Sequence, residues 1–285
     1  MRSPVLKLAA LVAAATLLFT ACGDSDDDSS TDTTAGGSGT TAAASADLSG
    51  LMADVTLINE GTLSICTDAP YTPFEFYSDE NPDELTGFDV EVVDGMAGLL
   101  DVETEWVITP FDGIIPSLVA GNCDVIASAM TITEERAEQV AFTDGYFDSE
   151  QSLLVRAADE ETYTSLESLA GRTIGVQSGT TGETFANENK PEGATIKAFE
   201  GGEELFTALS TNDIDAALQD FPVNYVAAQD DPELVITTTF PTEEEYGIAL
   251  PKESTALLEA LNAALAELRS SGAYQTIYDT WFENA

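Results

Sequence analysis

Twice in this chain a helix end runs through a polar turn into an aspartate-led strand: L-V-A-G-N-C-D-V-I-A at 118–127 and L-S-T-N-D-I-D-A-A-L at 209–218. Each copy closes a longer pattern in which short apolar runs alternate with helix-length amphipathic segments. Such strand–helix–strand alternation calls for right-handed crossovers, and so for a mainly parallel sheet in each half. In the first half, strands are expected at 63–67, 103–107 and 124–127. Helices are expected over F-D-V-E-V-V-D-G-M-A-G-L-L (88–100), where Val90, Val93, Ala97 and Leu100 keep helical spacing, and over D-G-I-I-P-S-L-V-A, stopped by Gly121. The pattern restarts near residue 150, with strands at 153–156, 173–176, 195–199 and 215–219. A short capped helix at 165–171, a helix opening at G-T-T-G-E-T-F and another over E-E-L-F-T-A-L-S lie between them. The tail from Thr255 to Phe282 reads as two amphipathic helices broken at Gly272.

The N-terminus is not part of this pattern. Arg2 and Lys7 make a basic start, and Leu8 to Phe19 an apolar core too short to span a bilayer as a mature helix, as in a signal peptide. The run L-L-F-T-A-C-G resembles a bacterial lipoprotein processing site, although Phe19 stands where an aliphatic residue is more usual. That resemblance makes residues 1–22 the signal, with Cys22 as the lipid-modified residue that tethers the chain to a membrane. An ordinary cleaved signal with a spare cysteine is the plainer alternative. Residues 23–54, rich in Asp, Ser, Thr and Gly at least as far as 49, are expected to form a disordered tether. No later segment resembles a transmembrane helix, so a soluble, extracytoplasmic body is expected.

Charge narrows the partners. The chain carries 9 Lys and Arg against 52 Asp and Glu, and two of the nine leave with the signal. Nucleic acid is excluded by repulsion. So large a negative field suits either a high-salt medium, where screening relieves self-repulsion, or simple solubility of a secreted protein. There is no histidine, and thiols are not clustered, so neither a metal nor a cofactor is expected. Cys66 and Cys123, in an oxidising compartment, form either a disulfide or two buried thiols.

Open parallel sheets bind ligands at the carboxyl ends of their strands. The first echo runs on into Ser128, Ala129, Thr131 and then Arg136, and the second into Gln219 and Asp220. Arg136 offers a planar fork of donors that matches a carboxylate. G-T-T-G-E-T-F presents free N–H groups at a helix start, an anion cradle. Asp220 closes a strand where a carboxylate could meet an ammonium, and D-A-P-Y-T-P-F brings Asp68, Tyr71 and Phe74 to the end of the first strand. Together these describe a receptor for an α-amino acid. Each has a plainer reading: Arg136 could pair with Glu134 or Glu138, Asp220 could cap the helix at F-P-V-N-Y, G-T-T could be a cap and turn, and the two aromatics could be core.

T-D-A-P-Y-T-P-F-E-F, G-F-D-V-E-V, F-D-G-I-I-P-S-L-V-A-G-N-C-D-V-I, T-I-T-E-E-R-A-E-Q-V-A-F-T-D-G-Y, G-V-Q-S-G-T-T-G-E-T-F and A-A-L-Q-D occur in this order over residues 55–285. In this the chain resembles the family 3 extracellular solute-binding proteins, the polar amino-acid receptors of ABC importers. The resemblance implies an α/β two-lobe periplasmic-binding-protein fold (type II, a Venus flytrap), with a mainly parallel sheet in each lobe and two crossing strands near 147–155 and 243–248. Lobe 1 would comprise 55–147 plus 246–285, and lobe 2 would comprise 148–245. It further implies that Arg136 binds the ligand α-carboxylate, helped by Thr131 and the Thr180–Thr181 helix start. Asp220 would bind the α-ammonium, assisted by Thr131 and the backbone at Ala129. Tyr71 and Phe111 would flank the side chain, with Ser128 and Gln177 near it and Asp68 reading its tip. Ala129 stands where some relatives carry a second serine, so one hydroxyl contact is missing. The implied protein is not an enzyme but a monomeric, lipid-anchored extracytoplasmic lipoprotein that hands a free L-amino acid, cationic or amide, to an ABC permease. A same-fold dehydratase for prephenate or arogenate, a lytic enzyme and a ligand-binding sensor are the rival classes.

Overall fold

A computed structural model describes residues 47–283 except Asp79. The signal segment, Cys22 and the tether up to residue 46 lie outside the described residues. With elements numbered in chain order, the first sheet is made of β1 (Thr62–Thr67), β4 (Glu103–Ile108), β5 (Val125–Ile126), β6 (Ala141–Phe142) and β12 (Ala249–Leu250). Its strands lie in the order β4-β1-β5-β12-β6. A two-stranded hairpin, β2 (Phe76–Tyr77) with β3 (Leu85–Thr86), stands beside it.

The inner strand β1 is buried from Leu63 to Thr67 because both of its faces are covered. Leu63 and Ile65 pack toward α1 (Phe88–Leu100) and α7 (Thr255–Ser270), meeting Val92, Met96, Leu261 and Leu265. Cys66 packs on the other side with α2 (Ile114–Val119), against Ile114 and Leu118. Cys66 and Cys123 are joined there as a disulfide. Val90, Val93, Ala97 and Leu100 of α1 are all buried, as their spacing requires. Gly87, before α1, has φ +129°, and a Cβ there would sit 2.2 Å from the Phe74 carbonyl oxygen, so only glycine fits. The tail divides into α7 and α8 (Ala273–Tyr278), with Gly272 at φ +83° between them.

The second sheet contains β7 (Phe147–Arg156), β8 (Thr173–Gln177), β9 (Thr195–Phe199), β10 (Ala216–Asp220) and β11 (Leu234–Tyr246), in the order β11-β7-β10-β8-β9. Helices α4 (Thr181–Asn189), α5 (Gly202–Ser210) and α6 (Phe221–Asp230) follow β8, β9 and β10. The inner strand β10 is buried along its whole length, with Ala216 and Leu218 in one core cluster and Ala217 in another.

Two findings differ from expectation. Each sheet is mixed rather than mainly parallel: β1–β4, β1–β5, β8–β9 and β8–β10 run parallel, but β12 and β7 bring antiparallel partners. The reason lies in the chain path: β7 and β11 pair antiparallel with each other as they carry the chain out and back. The ordered body also starts before residue 55. Ser49–Asp54 forms a 3-10 helix, and Leu48, Met52 and Val55 pack on the first core, with the Leu48 N–H donating to Leu99 O at 3.0 Å. Three of these eight residues bury apolar side chains against the core, which holds a segment whose start looked like tether.

Candidate functional site

β5 is only two residues long, and the chain leaves it as a loop at the carboxyl edge of the first sheet. There Ala129 adopts φ +43°, and its N–H donates to Asp89 Oδ2 at 2.8 Å. Ser128 accepts from the Asp68 N–H at 3.0 Å and lies 2.8 Å from Glu75 Oε1. Thr133 then caps the one-turn helix α3 (Glu134–Ala137), accepting the Arg136 N–H at 3.1 Å. The cap turns the Arg136 side chain inward. Its guanidinium donates to Thr131 O at 2.7 Å and to Gly179 O, from the second sheet's side, at 3.2 Å. It lies 5.2 Å from the centre of the Phe111 ring. Neither Glu134 nor Glu138 is its partner, so the plain surface pairing does not describe this arginine. Burial lowers its affinity for its proton from the ordinary value, and the charges of Asp220 and Glu244 oppose that.

The second sheet offers the complementary edge. Thr180 caps α4, accepting the Glu183 N–H at 3.1 Å. Gln177, at the end of β8, donates across to Asp68 Oδ2 at 2.7 Å. Asp220 stands at the N-cap position of α6, yet its side chain caps nothing. Its carboxylate instead accepts from Tyr71 Oη at 2.9 Å, from Tyr246 Oη and from Gln151 Nε2. None of these partners is a cation. Burial first, and then the Glu244 charge, push Asp220 up to about 6. Burial likewise raises Asp68 to about 6, against donors from Phe111 and Gln177.

These two edges close on a narrow cavity. Asp68, Tyr71, Phe111, Ser128, Ala129 and Thr131 line it together with Arg136, Gln177, Thr180, Thr181 and Asp220. Phe74 is the exception and must be corrected. It is fully buried in the aromatic core, with ring centroids 5.1 Å from Phe147 and 5.3 Å from Tyr246, and it does not line the cavity. The turn that projects Tyr71 outward sends Phe74 inward, because the Tyr71 N–H and carbonyl pair with Glu75 and Phe74.

Sequence reasoning missed several neighbours. Glu244 is buried beside the cavity and accepts from Thr131, Thr181, Gln151 and Thr242 at 2.7 to 2.9 Å. Glu75 and Asp89 are fully buried beneath the 127–131 loop. Burial and Asp89 hold Glu75 well above the ordinary carboxylate range, and burial raises Asp89 to about 6. Among 52 acidic residues no local pattern separates these from solvated ones. Among the described residues, no group of three or more metal-ligating side chains is gathered.

The family model for bacterial extracellular solute-binding proteins, family 3, matches residues 63–284. The chain belongs to that family. As a family 3 solute-binding protein it is similar to the histidine-binding periplasmic protein of Escherichia coli K12, with 34% identity over 242 residues, covering 78% of this chain and 87% of the relative. It is similar to ABC transporter arginine-binding protein 1 of the same organism, with 33% identity, covering 75% of this chain and 88% of that one. Among solved structures it resembles holo ArgBP from T. maritima at 38% identity, with a TM-score of 0.70 and coverage of 78% of this chain and 96% of that one. The two-lobe α/β fold follows, and the chain is a binding protein rather than an enzyme.

Proposed function

We propose that this family 3 solute-binding protein captures a free cationic or amide L-amino acid between two lobes and delivers it to an ABC permease. In this reading Arg136 and the Thr180–Thr181 start of α4 hold the α-carboxylate, while Asp220, Tyr71 and Thr131 hold the α-ammonium. The side chain lies against Tyr71 and Phe111 and reaches toward Ser128, Gln177 and Asp68. The single observation that carries this is that Arg136 and Asp220, from opposite sheets, line one cavity while neither has a side chain of opposite charge bonded to it. A zwitterion supplies both missing partners at once. Because the ligand touches both sheets, it stabilises the closed arrangement more than an open one, and closure is a population shift. Asp68, opposite the clamp, suits a cationic or amide tip. The lobes are 55–147 with 246–285 and 148–245, hinged at β7 and β11. Cys22 anchors the mature protein by lipid at the outer side of the cytoplasmic membrane.

A thermal-shift screen of the twenty amino acids at two salt concentrations tests the reading. Arginine, lysine, histidine or glutamine is expected to raise the melting temperature. No shift with any amino acid would overturn it.

A further inference from the structure

Glu244 lies just past a break in β11, where the register against β7 slips between Phe240 and Glu244 and Glu243 takes φ +51°. The break turns the Glu244 side chain back toward the cavity, where it is 8% exposed. Oε2 receives the hydroxyls of Thr131 and Thr181, each at 2.7 Å. Oε1 receives Gln151 Nε2 at 2.9 Å and the Thr242 hydroxyl at 2.8 Å. Thr131 and Thr181 line the cavity, and Glu244 stands behind them.

A hydroxyl has one hydrogen to give and two lone pairs to offer. A carboxylate can only accept. With both hydrogens drawn to Oε2, the 3.4 Å contact between the two threonine oxygens has no hydrogen left to share. Thr131 and Thr181 are then left with lone pairs alone, one of which on Thr181 also receives Gln151 Nε2 at 3.5 Å, and lone pairs repel a carboxylate and attract an ammonium.

We propose that Glu244 is a positioning residue: by taking the hydroxyl hydrogens of Thr131 and Thr181 it makes both side chains acceptors that recognise the ligand's ammonium and turn away its carboxylate. The carboxylate is left to Arg136 and to the backbone N–H groups at the start of α4. Glu244 therefore sets which way round an amino acid sits, a role that depends on the amino-acid reading above. Its charge also acts on Asp220, which faces Glu244 and Tyr246 from β11, Gln151 from β7, Tyr71 from the loop after β1, and Arg136 across the cavity.

The test is titration calorimetry of the full protein with L-arginine, its des-amino acid and its decarboxylated amine, on the wild type, E244L and E244Q. E244L is expected to weaken L-arginine and the amine by roughly tenfold or more, the worth of a hydrogen bond to a charged group. The des-amino acid, which has no ammonium to lose, is expected to bind within about threefold of wild type. E244Q keeps an oxygen acceptor and removes the charge. It should hold L-arginine near wild-type affinity well above pH 6 and move the acid limb of binding to lower pH. E244A makes the same comparison should E244L fold poorly. Equal losses on all three probes would make Glu244 merely structural and overturn the inference, while leaving the amino-acid reading intact. Failure of the wild type to bind L-arginine or any other polar amino acid overturns both.

Discussion

The two echoed segments end in opposite chemistry, and the way they differ locates the site. After β5 the chain stays irregular for seven residues, exposing carbonyls and hydroxyls before α3 delivers Arg136. After β10 it enters α6 at once, with Pro222 in the first turn, and Asp220 is held at the junction. A loop can bend a long cation inward and satisfy it with backbone carbonyls. A strand-to-helix junction fixes a short carboxylate rigidly, and here tyrosine and amide donors hold it. The first side is also stapled by Cys66–Cys123, whereas no cysteine lies in the second half. One edge is thus adaptable and cross-linked, and the other is rigid through packing alone.

The staple offers the largest test of that contrast. Replacing both cysteines with serine opens a loop of 57 residues and is expected to lower stability by about 4 kcal/mol, measured by urea unfolding. A loss below about 1 kcal/mol would show the first side to be as self-sufficient as the second. Next come the charges themselves. Arg136→Ala and Asp220→Ala should each weaken L-arginine binding by at least ~30-fold, about 2 kcal/mol, in calorimetry. Wild-type affinity in either variant would refute the clamp.

A smaller effect is expected where the two edges touch. Gly179 has φ +76°, and a Cβ there would sit 2.9 Å from Asp112 Cα on the first side. Gly179→Ala should weaken binding roughly fivefold, about 1 kcal/mol, and its left-handed backbone should also lower the unfolding stability of the ligand-free protein by about 1 kcal/mol. An unchanged affinity would mean that the edges do not meet there in the bound state.

The smallest effect is proton-linked. The folded value of Asp220, about 6, lies above its ordinary one, so the folded chain holds that proton more tightly than the unfolded chain. Stability is therefore lost as pH rises from the ordinary carboxylate range through about 6. Asp220→Asn removes the loss. The ligand-free variant should melt roughly 3 °C higher than wild type above that window and equal it below. Binding of an ammonium, which needs the ionised form, should weaken as pH falls through the same range. An Asp220→Asn melting curve parallel to wild type at every pH would break the assignment.

Much of this architecture was legible without coordinates. The periodic apolar residues of α1 and α7, the buried run of β1 and the strand at Ala216–Asp220 all follow from period and turn chemistry, which are local properties. Arg136 and Asp220 stood out because a cation is rare in this chain and a carboxylate at a strand end has a place to act. The order of the six family motifs carried the two-lobe fold.

What the local pattern left open depended on contacts far apart in sequence. Phe74 and Tyr71 are both aromatics of one turn, and only the packing of Phe147, Tyr246 and Phe282 decides that the first is core and the second faces the cavity. Glu75, Asp89 and Glu244 carry the same side-chain chemistry as dozens of solvated acids. Burial separates them, and burial is created by elements up to 113 residues away, as between Thr131 and Glu244. Sequence alone determined that this chain folds as two alternating α/β halves, with an arginine shortly after one echoed strand and an aspartate at the end of the other. The tertiary structure alone decided which hydroxyls give their hydrogens away, because a hydrogen bond's direction is set by the partner that closes on it.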